Sequence, residues 1–278
     1  MNIALMRAVV IGAALLSWTL LLIPFNELLA KKAGDTQDTT NGADTQDTTN
    51  GADTQDTTKG GDTQDTTKGG DTKGADIAKI VFTDFGKTKP VHTGRAGDVC
   101  GDGSGRFTTI AGGIKWKTGE SVPYSIDSSS SGIDSGKAKD AVIAAFDTID
   151  DEDHPPGQFF TQSSSNPKIT VDWKSLDGKG SALARATVFY NTATKEIQKA
   201  EIVFDSDEKW TDNSGNFPCF GGGDSFNIQN VATHEILHAV GLGHVGDTLL
   251  TLYRYAATGE TLKSSLGKGD QRGLDRNY

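Results

Sequence analysis

Regular spacing of apolar residues begins near Ile114 and predicts the elements of a folded domain. Apolar residues recur every three or four positions between Ala138 and Ile149, behind a helix start at Asp134 or Ser135, so a helix with one buried face is predicted there. Short runs rich in apolar residues and bounded by turn residues predict strands. These strands are expected at residues 122–127, 158–162, 169–173, 182–190 and 196–204.

Two further helices are predicted in the last third of the chain. The first starts at Asn227, a suitable N-cap, continues to Val240 and stops at Gly241. The second is short and lies in the closing stretch GDQRGLDRNY. The order is therefore a strand, a helix, four strands and two helices, which predicts an α+β domain over residues 113–278.

The first third of the chain has a different pattern. Residues 8–25 carry no charge and are just long enough to cross a bilayer, so residues 1–30 are either a signal peptide or an uncleaved signal anchor. Residues 31–76 repeat a nonapeptide such as GADTQDTTN without any Val, Ile, Leu or aromatic residue, which predicts a disordered linker. Residues 77–112 form an N-terminal extension whose pattern indicates no role.

The net charge and the N-terminal segment limit which partners and which location can be predicted. The net charge is −10, and ten aspartates against five lysines in residues 31–76 supply half of it, so the acidity says little about partners of the folded domain. No basic and aromatic residues are arranged for nucleic acid. The N-terminal segment and the linker predict a location outside the cytoplasm, secreted or anchored through residues 8–25. We expect a monomer.

The stretch HEILHAVGLGH carries the chemistry. His234 and His238 are four positions apart, so a helix projects both from one face at the separation that chelates one zinc ion. Glu235 stands beside them as a general base on zinc-bound water. A helix cannot offer a third ligand at His244, so the chain must reverse, and Gly241 can adopt the positive φ that this requires.

This stretch resembles the HExxHxxGxxH signature of the metzincin zinc endopeptidases, and within them the matrixins of prokaryotic type. The stretches IVFDSDEKWT and LGKGDQRGLDRNY are similar to two further matrixin segments. The resemblance implies a metzincin-like domain with a twisted five-stranded mixed sheet and three helices. It also implies hydrolysis of polypeptides, with substrate extended along an edge strand at about 182–190.

Two details of the resemblance concern other residues. In the family, the positions of Asp205 and Glu208 bind structural calcium, so calcium is a further expectation for this chain. Metzincins carry a methionine in a turn beneath the zinc, where this chain has Leu252. Leucine is nearly isosteric with methionine, so we expect the apolar floor of the site to be kept.

Two alternatives stay open at this stage. Cys100 and Cys219 are the only cysteines, and they either form a disulfide or leave the Cys100 thiolate to block the zinc as a latency switch. The second concerns function, because a tethered surface or adhesion module could retain the fold without enzymatic activity. The intact Glu235 argues for an enzyme, since a metal site alone does not need it.

Overall fold

The computed structural model describes residues 77–87, 103–151, 159–212, 219 and 222–278. The strands within these residues are β1 Ile77–Lys87, β2 Thr108–Thr109, β3 Val122–Asp127, β4 Phe160–Gln162, β5 Ile169–Lys174, β6 Ala182–Asn191, β7 Ile197–Asp205, β8 Trp210–Thr211, β9 Phe226–Asn227, β10 Leu242–Gly243 and β11 Tyr255–Ala257. The helices are α1 Ser135–Asp150, α2 Ile228–Ala239 and α3 Lys268–Asn277, with short 3-10 turns at Ile110–Gly112 and Leu262–Ser264.

Seven strands form one mixed sheet in the order β11-β1-β6-β7-β5-β3-β4. The pairs β3–β4, β3–β5, β5–β7 and β1–β11 are parallel, whereas β6 is antiparallel to both β7 and β1. This sheet and the three helices confirm the α+β class. The five strands that the sequence predicts are β3 to β7, and β11 and β1 extend the sheet by two.

β1 lies in the extension for which the sequence indicated no role. Its residues Ala78, Ile80 and Phe82 alternate with more exposed neighbours and are buried against the rest of the domain. Because β1 pairs along β6 from Ile77 to Phe85, β6 is not the edge strand that the sequence analysis expected. An extended segment of the chain itself occupies that edge.

Helices α1 and α2 pack against each other beneath the sheet, and α2 also contacts β6 and β7. The predicted apolar face of α1, from Ala138 to Ile149, is buried. Both helix starts are capped as predicted, since the side chain of Asp134 accepts a hydrogen bond from the N–H of Lys137 at 3.0 Å and that of Asn227 from the N–H of Asn230 at 2.8 Å. The contacts of α2 with α1, β6 and β7 therefore fix its position against the sheet.

Among the described residues, no helix is long and apolar enough to cross a membrane. Residues 8–25 and the repeat linker 31–76 lie outside the described residues, so the predictions for them remain predictions.

Candidate metal centre

Helix α2 presents His234 and His238 one turn apart on the same face. Both side chains are buried, and their Nε2 atoms are 3.0 Å apart. Eleven of the twelve residues of α2 are buried, so packing on all sides fixes the rotation of the helix about its axis. The two imidazoles therefore point together at one place.

The chain reverses after α2 at Gly241, as the sequence predicts. Gly241 has φ +96°, and a Cβ atom there would lie 2.0 Å from the carbonyl oxygen of Ile114. Carbonyl groups freed at the end of α2 find side-chain donors: Trp116 Nε1 donates to the oxygen of Ala239 at 2.9 Å, and the hydroxyl of Tyr278 donates to that of Val240 at 3.1 Å. The turn is thus anchored from two distant parts of the chain.

The reversal brings His244 back to the first two histidines. Its Nε2 lies 3.1 Å from that of His238 and 3.3 Å from that of His234. Three tetrahedral ligands at the usual Zn–N distance of 2.0–2.1 Å would be separated by about 3.3 Å. The three nitrogens therefore converge as ligands of one zinc ion would.

Backbone carbonyls orient the two helical histidines. Nδ1 of His234 lies 2.6 Å from the oxygen of Thr251, and Nδ1 of His238 lies 2.7 Å from that of Leu242. Each carbonyl accepts a hydrogen bond from the Nδ1–H tautomer, which leaves Nε2 with a lone pair for metal. At His244 the guanidinium of Arg254 lies 3.2 Å from Nδ1, and this contact must loosen for the same tautomer to form there.

Glu235 is fully buried beside the histidines. Neither of its carboxyl oxygens makes a hydrogen bond of normal geometry with the described residues, although the backbone N–H of Ala186 is close enough to lower its pKa. Burial raises the pKa of Glu235 well above its ordinary value, the nearby carboxylate of Asp84 raises it further, and Lys263 opposes both. A buried carboxyl group without a partner, next to three convergent imidazoles, is a group held ready for a water molecule and a cation.

Strand β1 adds two side chains to this site that the sequence analysis missed. The ring of Phe82 stacks on that of His238 with centroids 4.1 Å apart. A carboxyl oxygen of Asp84 and ligand atoms of His234 and Glu235 all lie within 4.8 Å of one another. Burial raises the pKa of Asp84 from 3.8 to about 7, although the ammonium of Lys263 lowers it. The alternation of apolar residues in IAKIVF was a signal for the strand, but nothing in the sequence indicated where it docks.

The residues predicted to bind calcium do not belong to the group of ligand atoms around the histidines. Asp205 is buried and accepts a hydrogen bond from the N–H of Asp207 at 2.9 Å, and Glu208 accepts one from the N–H of Gly180. Burial raises the pKa of Glu208. Within the described residues, the only groups of three close ligand atoms include His234, so calcium at Asp205 and Glu208 is not supported by such a cluster.

Two other expectations concern Leu252 and the cysteines. Leu252 is fully buried in the hydrophobic core, and Thr251 before it supplies the carbonyl that orients His234. An apolar floor beneath the metal stays a prediction. Cys219 is disulfide-bonded, and Cys100, the other cysteine of the sequence, lies outside the described residues. This bond favours the disulfide over the latency switch.

Comparison with known proteins gives two matches. Residues 115–278, which include all three histidines and Glu235, match the family described as Matrixin. The human protein named matrilysin is 30% identical over 103 residues, which is 37% of this chain and 34% of that protein. The chain thus aligns with about a third of the length of this curated relative.

Proposed function

This chain belongs to the matrixin family, and from that membership we propose that it is a zinc-dependent endopeptidase that hydrolyses polypeptides. The observation that carries the proposal is the convergence of three imidazole Nε2 atoms at separations of 3.0–3.3 Å. A fully buried glutamate without a hydrogen-bond partner stands beside them. Neither group contributes to the hydrophobic core, so both are best explained by chemistry.

The donor set suits zinc. His234, His238 and His244 would hold the ion as neutral imidazoles, and the backbone oxygens of Thr251 and Leu242 keep the two helical rings in the required tautomer. When bound, zinc supplies Lewis acidity, which polarises a peptide carbonyl and makes water a stronger nucleophile near neutral pH.

Glu235 would carry the proton. Its carboxyl group lies within 4.8 Å of a ligand atom of His234, so it can accept the proton of a water molecule that attacks beside the histidines. The same carboxyl group can then donate this proton to the amine of the departing peptide. Because no side chain of the described residues donates a hydrogen bond to this group, it is available to a water molecule.

The test is Glu235→Gln in the full chain, with Glu120→Gln on an exposed turn as a matched control. We expect both variants to bind one zinc ion by metal analysis. Hydrolysis of a mixed peptide library should fall by roughly 100-fold or more in Glu235→Gln alone. Full activity in that variant would refute the role of Glu235. Zinc binding by the wild type with no cleavage of any peptide, both before and after limited proteolysis that can remove β1, would favour the tethered adhesion module instead.

The same proposal includes where the enzyme works. Residues 1–30 would direct the chain across a membrane as a signal peptide or anchor, and residues 31–76 would act as a flexible tether, so that a monomeric catalytic domain acts outside the cytoplasm. Fractionation of expressing cells, with N-terminal sequencing of the product, distinguishes secretion, anchoring and retention in the cytoplasm.

Calcium at Asp205 and Glu208 remains a prediction from the family resemblance. Isothermal titration calorimetry, with calcium added to the wild type and to Asp205→Asn, would decide whether this site binds calcium. Heat of binding in the wild type that disappears in the variant would support the site, and no heat in either would remove it.

A further inference from the structure

β1 is held in the cleft as an extended peptide between two strands. On one side it runs antiparallel to β6, and the N–H of Gly86 donates to the oxygen of Ser181 at 2.9 Å. On the other side it runs parallel to β11, and the N–H of Phe85 donates to the oxygen of Arg254 at 3.1 Å. Main-chain hydrogen bonds on both sides are the means by which a protein binds an extended polypeptide of variable sequence.

This segment passes the metal centre between Phe82 and Asp84. Phe82 contacts the ring of His238, and the carboxyl group of Asp84 lies against His234 and Glu235. Two peptide bonds lie between these contacts, Phe82–Thr83 and Thr83–Asp84, and we select the second because Asp84 itself lies against Glu235, the proposed base. In a substrate bound in the same way, the residue at the position of Thr83 would precede the cleaved bond, and the residue at the position of Asp84 would follow it.

The side chain that follows the bond enters a closed pocket. Asp84 is 0% exposed, and the pocket also holds the ammonium of Lys263, which is 1% exposed. The Nζ atom of Lys263 donates hydrogen bonds to the backbone oxygens of Tyr253 and of Tyr255, the latter at 2.9 Å. Its distance to Oδ1 of Asp84 is 4.0 Å. A lysine is rarely buried to this extent unless an anion compensates it.

Burial raises the pKa of Asp84 to about 7 and Glu260 raises it too, whereas Lys263 and Arg254 lower it, so the two cations compensate a carboxylate of this length only in part. Glu260 is itself occupied, since its Oε2 accepts a hydrogen bond from the N–H of Ala257 at 3.0 Å. The ammonium of Lys263 is held by two carbonyls and retains a third N–H donor. The pocket thus carries a fixed cation at its closed end.

Building on the proposed peptidase activity, we propose that Lys263 is the specificity-determining residue of this pocket, and that the enzyme cleaves peptide bonds on the amino side of acidic residues. The gap of 4.0 Å exceeds a charge-assisted hydrogen bond of about 2.8 Å by roughly one methylene group, so glutamate should be accepted at least as well as aspartate. The sequence of β1 itself is a peptide of the preferred kind.

The reaction is a hydrolysis. Water adds its oxygen to the carbonyl carbon of the residue before the acidic one, and the C–N bond breaks. The proton released by water passes through Glu235 to the nitrogen of the acidic residue. The products are a peptide with a new carboxyl terminus and one whose new amino terminus is aspartate or glutamate.

The first experiment incubates the zinc-loaded full chain with a mixed peptide library and with the peptide AKIVFTDFGK, residues 78–87. Mass spectrometry then identifies every new amino terminus, from the peptides or from the chain itself. We expect aspartate and glutamate at these termini, and cleavage of the peptide between Thr and Asp. Cleavage mainly before apolar residues would overturn the inference and leave the peptidase intact. Because β1 fills the position that a substrate would take, the incubation is repeated after limited proteolysis of the chain, and no cleavage of any kind in either state would instead refute the proposed function.

The second experiment measures kcat/KM on AKIVFTDFGK and on versions with Glu, Asn or Leu in place of Asp. In the wild type, kcat/KM for Asn and Leu should be roughly 10- to 100-fold below that for Glu, whose longer side chain reaches Lys263. Lys263→Met should remove this difference, Lys263→Arg should keep it, and Lys268→Met, an exposed lysine nearby, should leave it unchanged. Retained acid preference in Lys263→Met would overturn the role of Lys263. If that variant fails to fold, the substrate series on the wild type and on Lys263→Arg still decides the acid preference.

Discussion

Replacement of Gly241 by alanine should damage both the fold and the metal centre. A side chain at this position meets two obstacles. The backbone has φ +96°, a conformation that costs an L-residue about 1–2 kcal/mol. In addition, the new Cβ would lie 2.0 Å from the carbonyl oxygen of Ile114, a fully buried residue whose backbone has little room to move.

Alanine substitutions at two other glycines distinguish the cost of backbone strain from the cost of the steric clash. Gly246 has no neighbour within 4 Å of a built Cβ and no positive φ, so Gly246→Ala should change the free energy of unfolding by less than about 0.5 kcal/mol. Gly119 has φ +83° and equally open space, so Gly119→Ala should cost only the backbone strain of about 1–2 kcal/mol. Gly241→Ala carries both the strain and the clash, and we expect a loss of roughly 3–5 kcal/mol.

The assays are urea unfolding and competition for zinc with a chromogenic chelator. Because Gly241 directs the chain from His238 to His244, its replacement should also weaken zinc binding at least about 10-fold, whereas the two control variants should not. Equal unfolding free energies and equal zinc affinities for Gly241→Ala and Gly246→Ala would refute the reasoning. In that case the third histidine would reach the metal without help from this turn.

Three further perturbations test the site and its supports. Asp270→Ala should lower the free energy of unfolding by about 2–4 kcal/mol and weaken zinc binding. The reason is that Oδ2 of Asp270 accepts a hydrogen bond from the N–H of Thr251 at 2.9 Å, and the carbonyl of Thr251 orients His234. Urea unfolding measures the first effect and chelator competition the second. Burial raises the pKa of Asp150 from 3.8 to about 6, so the folded state holds this proton more firmly and stability should fall as the pH rises through that window. Asp150→Asn should flatten this fall, as urea midpoints at several pH values would reveal. When free zinc is present at about 1,000 times its Kd, removing it with a chelator should lower the unfolding temperature measured by calorimetry by roughly 8–16 °C. The unfolding temperature of His238→Ala should not respond to the chelator.

The helix and its histidines could be predicted because their geometry is local. The spacing of His234 and His238, the N-cap at Asn227 and the turn at Gly241 are all encoded within eighteen residues, 227–244, and the structure contains each of them. Helical periodicity and the conformational freedom of glycine do not depend on the rest of the chain. This is why the sequence alone suffices to name the candidate ligands.

The pocket could not be predicted because it joins distant parts of the chain. Asp84 and Lys263 meet only after β1 has inserted between β6 and β11, and strand pairing at this range has no local signal. The period-two pattern in residues 77–82 is compatible with any sheet edge. From the sequence alone, Lys263 would be expected at the surface. Only the structure, in which its side chain is 1% exposed, shows that its environment is unusual.

The position of β1 also has a kinetic consequence. Phe85 pairs with Ala182 on one side and with Tyr255 on the other, so β1, the first of the described strands to be synthesised, must wait for partners about 100 and 170 residues later. Contacts at such separations form slowly, because the loops they close are entropically costly before the contacts are made. We expect the ribosome to release nearly the whole domain before this strand finds its place, and the last step of folding to be its insertion.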